Sequence, residues 1–193
     1  MKKLKLFFAL FAMLALGVGN AWGAETLYKN ALFKIANCTK NSSYTGKVTC
    51  TIGDDSWVAQ NAANNNGGWD YVKIGAKKSK AADPTKVTTG TITTNAAYAE
   101  AVSKIVVNGK KDRGSFTSKL IIASNSSFTT DKVEITGATS FTNNQIVFTI
   151  PSPSANKYYK LEFVCSNTTT TNGVIQVSSV EYYYEPGTEE PVS

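Results

Sequence analysis

The sequence predicts an all-β chain, a sandwich or barrel of short antiparallel strands. Three observations carry this reading. Apolar and polar residues alternate in period two over most of the chain, as where Val48, Cys50 and Ile52 alternate with Lys47, Thr49 and Thr51. Such alternation turns one face to a core and the other to water. Val, Ile, Thr, Tyr and Phe fill the runs, and these residues suit a pleated, half-buried surface. Segments rich in Asn, Gly and Ser divide one run from the next, and these residues tolerate positive φ or cap turns.

In chain order, strands are expected near 27–36, 46–52, 56–60, 70–74, 87–93, 103–108, 117–124, 131–136, 145–150, 157–165 and 173–184. The turn Asn64-Asn65-Asn66-Gly67-Gly68 separates the third from the fourth. The Ala-rich stretch Asn95 to Lys104 is short and Thr-flanked, so at most one or two helical turns precede the strand through Ile105 and Val107. Asn108-Gly109, Asn125-Ser126-Ser127 and Asn143-Asn144 mark further turns. Ile146, Phe148 and Ile150 alternate with Gln145, Val147 and Thr149 until Pro151 and Pro153 end that strand. Tyr159, Leu161, Phe163 and Cys165 alternate with Tyr158, Lys160, Glu162 and Val164, and Asn172-Gly173 opens the final turn. In the last strand Ile175 and Val177 lie on one parity, Val180, Tyr182 and Tyr184 on the other. A bulge near Ser178-Ser179 would bring all five to one face and leave Tyr183 outside.

The N-terminus is read as a signal peptide spanning 1–23. Lys2, Lys3 and Lys5 precede an apolar run from Leu6 to Val18, and Ala21-Trp22-Gly23 offers small residues for cleavage after Gly23. The run is shorter than the roughly 20 residues that a membrane span needs. Residues 24–184 form the expected domain, and 185–193, with Pro186, Gly187 and Pro191, a disordered tail or linker stub. No transmembrane anchor is expected after cleavage, and the destination is the periplasm, the cell surface or the medium.

Charge weakens a nucleic-acid reading. The chain has 20 Lys+Arg and 14 Asp+Glu; the leader holds three Lys and no acid, leaving 17 against 14, a net +3. Arg113 is the one arginine, and the clusters Lys77, Lys78, Lys80 and Lys110, Lys111, Arg113 read as solvated loops.

Three cysteines remain for an oxidising compartment. Cys38 with Cys50 is the local pairing. Yet Cys50 shares parity with core-facing Val48 and Ile52, as Cys165 does with Leu161 and Phe163, so a buried free thiol competes with it.

Catalytic signals are missing. The chain contains no histidine. Ser-His-Asp and Cys-His nucleophile arrangements and His-ligated zinc therefore have no basis. No Gly-rich phosphate loop has a known spacing. A glycosidase working through two carboxylates stays open as a third reading.

The richest segment runs from Asp54 to Gly75. It carries Trp57 and Trp69, with Asn64, Asn65 and Asn66 between them and Asp70 and Tyr71 directly after. Aromatic faces that stack on sugar rings, beside amides and carboxylates that bond hydroxyls, are what a carbohydrate site needs. These seven residues are the candidate ligand set; equally, Trp57 can plug the core and the Asn run can be only a turn. Asp54, Asp55 and Asp70 are a weak calcium alternative whose spacing fits no known loop. No other cofactor is expected.

Several stretches together resemble a known kind of module: Trp69 to Gly75, Ser103 to Val107, Ser118 to Ser124, Tyr158 to Phe163 and Ile175 to Tyr182. In that order they are similar to galactose-binding-like jelly-roll modules of secreted proteins from gut-dwelling bacteria. The resemblance implies a two-sheet antiparallel sandwich of jelly-roll type with a binding or architectural role, and it transfers no ligand residues. The expectation is an exported non-catalytic module for carbohydrate or another cell-surface ligand, with its site on loops at one end of the sandwich. The alternative is a structural or adhesive subunit acting through protein contacts, for which an unpaired edge strand would argue.

Overall fold

The computed structural model describes residues 24–75 and 86–186. The expected leader, the tail from Gly187 onward, and Lys77, Lys78 and Lys80 lie outside the described residues. Twelve strands carry the fold: β1 (Thr26–Leu32), β2 (Lys47–Ile52), β3 (Asp55–Gln60), β4 (Ala62–Ala63), β5 (Val72–Ile74), β6 (Lys86–Thr94), β7 (Val102–Lys111), β8 (Ser115–Ala123), β9 (Val133–Thr136), β10 (Gln145–Thr149), β11 (Tyr158–Asn167) and β12 (Ile175–Tyr184). The first strand is shorter than expected; a single 3-10 turn, Ile35–Asn37, follows it. No helix forms between Asn95 and Lys104, where Tyr98 is instead buried and bridges to Lys157.

The strands form two packed antiparallel sheets. One has the order β10-β7-β12-β5-β4, with β1 also paired to β12; the other has β2-β3-β6-β11-β8-β9. Within them, β10-β7-β12-β1 facing β6-β11-β8-β9 is the eight-strand order of a jelly roll. The β2–β3 hairpin widens the second sheet, and the β4–β5 pair fills the place beside β12 that β1 leaves.

Alternation becomes packing between the sheets. Val48, Cys50, Trp57, Ala59, Ile92, Leu120, Leu161 and Phe163 meet Val72, Ile74, Ile105, Val107, Ile146, Phe148, Val177, Val180 and Tyr182, and all lie within one core. Each large side chain buried this way contributes about 1.5–3 kcal/mol. The expected bulge is present: pairing of β12 with β7 shifts between Val177 and Ser179. It places Ile175, Val177, Val180 and Tyr182 inside, while Tyr183 stays partly exposed. At Gly90 of β6 the sheets approach so closely that a Cβ would lie 2.3 Å from the Ile74 Cγ2.

Cys38 and Cys50 form a disulfide across an isolated antiparallel bridge. Cys50 is both core-facing and bonded, because β2 is an edge strand whose free side receives the chain at Cys38. Cys165 is free and buried, and burial pushes its thiol up to about 12. Among the described residues no helix is long and apolar enough to cross a membrane.

Candidate functional site

The seven residues that the sequence grouped together part company in the structure. Trp57 is 1% exposed in the centre of the core, where its indole nitrogen donates to the Tyr98 hydroxyl at 2.7 Å. It is a core residue, because Trp57 and Ala59 share the inward parity of β3. A sugar ring has no access to it.

Asn64 is likewise buried and does the work of a turn. Its side-chain oxygen accepts from the Asn41 and Gly67 backbone amides at 2.9 and 3.2 Å, and its amide group donates to the Thr39 carbonyl at 2.9 Å. These bonds tie the loop before β2 to the 3-10 turn Asn65–Gly67. Asn65 and Asn66 take left-handed φ values of 52° and 56°, which asparagine tolerates. Asn66 stands exposed at the tip. Asp70 is exposed and turned aside, accepting from the Ile35 amide at 3.2 Å.

The same turn delivers Trp69 to the surface, held by its backbone bond to the Asn64 carbonyl. From there the chain enters β5 with Val72 and Ile74 in the core and Trp69, Tyr71 and Lys73 on the opposite side. Trp69 and Tyr71, both half-buried, stack with ring centroids 5.2 Å apart and planes 11° from parallel. The Lys73 ammonium lies 5.3 Å from the Trp69 ring centroid.

This aromatic pair is the wall between two hollows. Trp69 lines one of about 390 Å³, together with Ser42, Tyr44, Asn65, Lys73 and Arg113, closed by Thr171 and Asn172. Tyr71 lines the other, of about 520 Å³, with Asn108, Lys110, Asn144, Gln176 and Ser178. Lys110, Gln176 and Lys73 are register partners across β7, β12 and β5, so they form one row on the outer face of that sheet. The two hollows therefore lie on a sheet face and its bordering loops.

Asp112 organises the charges beneath this surface. Its carboxylate accepts from the Lys73 ammonium at 2.6 Å, lies 2.8 Å from Arg113 Nη2, and is bonded by the Gln176 side chain. Burial raises its pKa, but the Lys73 bond and the Lys73 and Arg113 charges outweigh burial and hold it below the usual value. Arg113 also donates to the Asn172 carbonyl at 2.8 Å. Gly173, at a φ of +83°, leaves room for the Lys73 stem, since a Cβ there would lie 2.3 Å from Lys73 Cδ. Burial pushes the Tyr44 phenol up to about 12 and raises Tyr71 as well, with the Asp112 charge adding to the latter. Both phenols stay neutral hydrogen-bonding groups at physiological pH.

Sequence reasoning missed Tyr44, Lys73, Asp112, Arg113 and Gln176. Only Lys73 carried a local signal, as the next residue of the Trp69, Tyr71 parity. The cluster Lys110, Lys111 and Arg113 is not a solvated loop: the two lysines end β7, and Arg113 is held in the Trp69 hollow. Nor does the structure gather Asp54, Asp55 and Asp70 into a calcium site. Asp55 pairs with Lys29 at 2.7 Å, and among the described residues no three such ligands come together. A third hollow, of about 350 Å³, opens between β9 and the end of β10; of its lining residues only Asp131 is a carboxylate.

No protein-family model matches the chain, and no curated protein matches it in sequence.

Proposed function

We propose that this protein is an exported, non-catalytic module that binds carbohydrate on the outer face of its β10-β7-β12-β5-β4 sheet. One observation carries the reading: the stacked Trp69–Tyr71 pair stands between two concave surfaces lined by amide, hydroxyl and cationic groups. An aromatic surface packs against the C–H faces of a sugar, and the surrounding Asn, Gln, Ser and Lys groups bond its hydroxyls. The resemblance to galactose-binding-like modules, which implies a binding or architectural role, is in keeping with a non-catalytic module.

The test is a glycan array probed with the purified protein and with a Trp69→Ala variant whose circular dichroism matches wild type. Binding by the wild type and a loss of at least about fivefold in the variant are expected, since stacking on an aromatic ring is worth on the order of 1–3 kcal/mol. An array on which the wild type binds no glycan would overturn the reading.

A second reading has its own observation. The outer edges of β9 and β10 pair with no other described strand, and each strand exposes a valine, Val133 at 52% and Val147 at 51%. Unpaired edges accept a partner strand, which is how an adhesive or structural subunit would assemble.

A further inference from the structure

The charges around the aromatic wall have one sign. Lys73 and Arg113 line the Trp69 hollow, and Lys110 lines the Tyr71 hollow. Among the described residues, no Asp or Glu lines either one. The one carboxylate among the described residues in contact with these cations is Asp112, which accepts from Lys73, Arg113 and Gln176 and so neutralises one charge of three. The remainder, three positive against one negative, is +2. Lys110 is exposed and makes no ion pair among the described residues, whereas Lys111 is the register partner of inward-facing Ile175 and lines neither hollow. Asp70, the nearest acid in sequence, bonds Ile35 and lines neither hollow.

A neutral sugar gains nothing from such a surplus. A purely electrostatic polyanion site would not need Trp69 and Tyr71 held parallel between the hollows. Together, the aromatic wall and the uncompensated cations fit one ligand class. We infer that the preferred ligand is an acidic oligosaccharide, carrying carboxylate or sulfate groups, that crosses the Trp69–Tyr71 wall with one sugar in each hollow and an anionic group near Lys110. This deepens the carbohydrate reading and rests on it. Lys73 and Arg113 are held by Asp112, so they act as oriented hydrogen-bond donors. Lys110 supplies the free charge that distinguishes an acidic from a neutral glycan.

The experiment uses matched pairs: uronate oligosaccharides against their methyl esters, and sulfated glycans against their desulfated forms, at low and moderate salt. Wild type is expected to favour the charged member by roughly tenfold at low salt, and the preference should shrink as screening grows. A Lys110→Gln variant, one surface change that leaves the core untouched, should bind both members within about twofold of each other. Trp69→Ala should weaken both. Equal binding of charged and neutral members by wild type, with Trp69 still required, would overturn the acidic preference and leave the carbohydrate reading standing. Single-stranded DNA bound as tightly as the glycans, and unaffected by Trp69→Ala, would show a non-specific cationic face and overturn the inference. Failure of every glycan to bind would remove both readings together.

Discussion

At the scale of single residues, two tryptophans twelve positions apart have opposite fates. Trp57 buries its indole and satisfies the ring nitrogen on Tyr98, inside a cluster that also holds Tyr159 and Tyr182. Trp69 stays at the surface, flanked by Tyr71 and Lys73. Asp112 makes the second residue-scale argument. Its carboxyl has a lowered pKa in the folded protein, so its contribution to stability is present above the unfolded value near 3.8 and is lost as pH falls through the folded value. Asp112→Asn is expected to cost about 1 kcal/mol at neutral pH, as for a partly exposed pair. Its deficit against wild type should start to narrow as pH falls below the unfolded value near 3.8 and close once pH is below the lowered folded value, where the wild-type carboxylate also takes a proton. Urea unfolding at pH 7 and pH 3 measures this; a deficit that is the same at both would show that the ionised carboxylate is not the source.

At the scale of elements, β2 depends on its covalent tie. It pairs with β3 on one side only, and the Cys38–Cys50 bridge closes a loop of sequence separation 12 across its free side. A loop of that size restricts the unfolded chain by about 3 kcal/mol in the chain-entropy model. Replacing both cysteines by alanine, or adding reductant, is expected to lower the urea midpoint accordingly. An unchanged midpoint would mean that the bonds between Thr39 and Thr49, one between their backbones and one from the Thr49 amide to the Thr39 hydroxyl, hold this edge alone. The same tie bears on the site, because Asn41 lies within that loop and its backbone amide donates to the side chain of Asn64, which sets the turn presenting Trp69.

For the whole molecule, β12 is the hub. It bonds to β7 on one side and to β5 and β1 on the other, and its inward residues pack against the second sheet. Because both sheets share one core, the molecule is expected to unfold in a single cooperative step. Trp57→Phe and Trp69→Phe variants separate the core reporter from the surface one. Their fluorescence transitions in urea should coincide after correction for any shift in stability. A Trp69 signal that moves first would show the β4–β5 hairpin opening on its own, and the site with it.

Period-two alternation was enough to foresee nearly every strand, the bulge before Ser179 and the inward Tyr182, because which residues share a face is a local property of an extended chain. It also placed Cys50 inside, which left its local pairing with Cys38 open until the structure showed Cys50 to be both inward and bonded. Alternation names two faces but not which of them another sheet will cover. That choice separated buried Trp57 from half-buried Trp69, and it turned Asn64 from a candidate ligand into the anchor of a turn. The two-residue β4 escaped notice because Ala62-Ala63 is too short to show a period. The rest of the site was decided by the tertiary structure alone. Pairing of β12 with β5 and β7 brings Lys73, Lys110 and Gln176 into one row, and Asp112 locks Lys73 and Arg113 beside Trp69, across chain separations that no local pattern encodes.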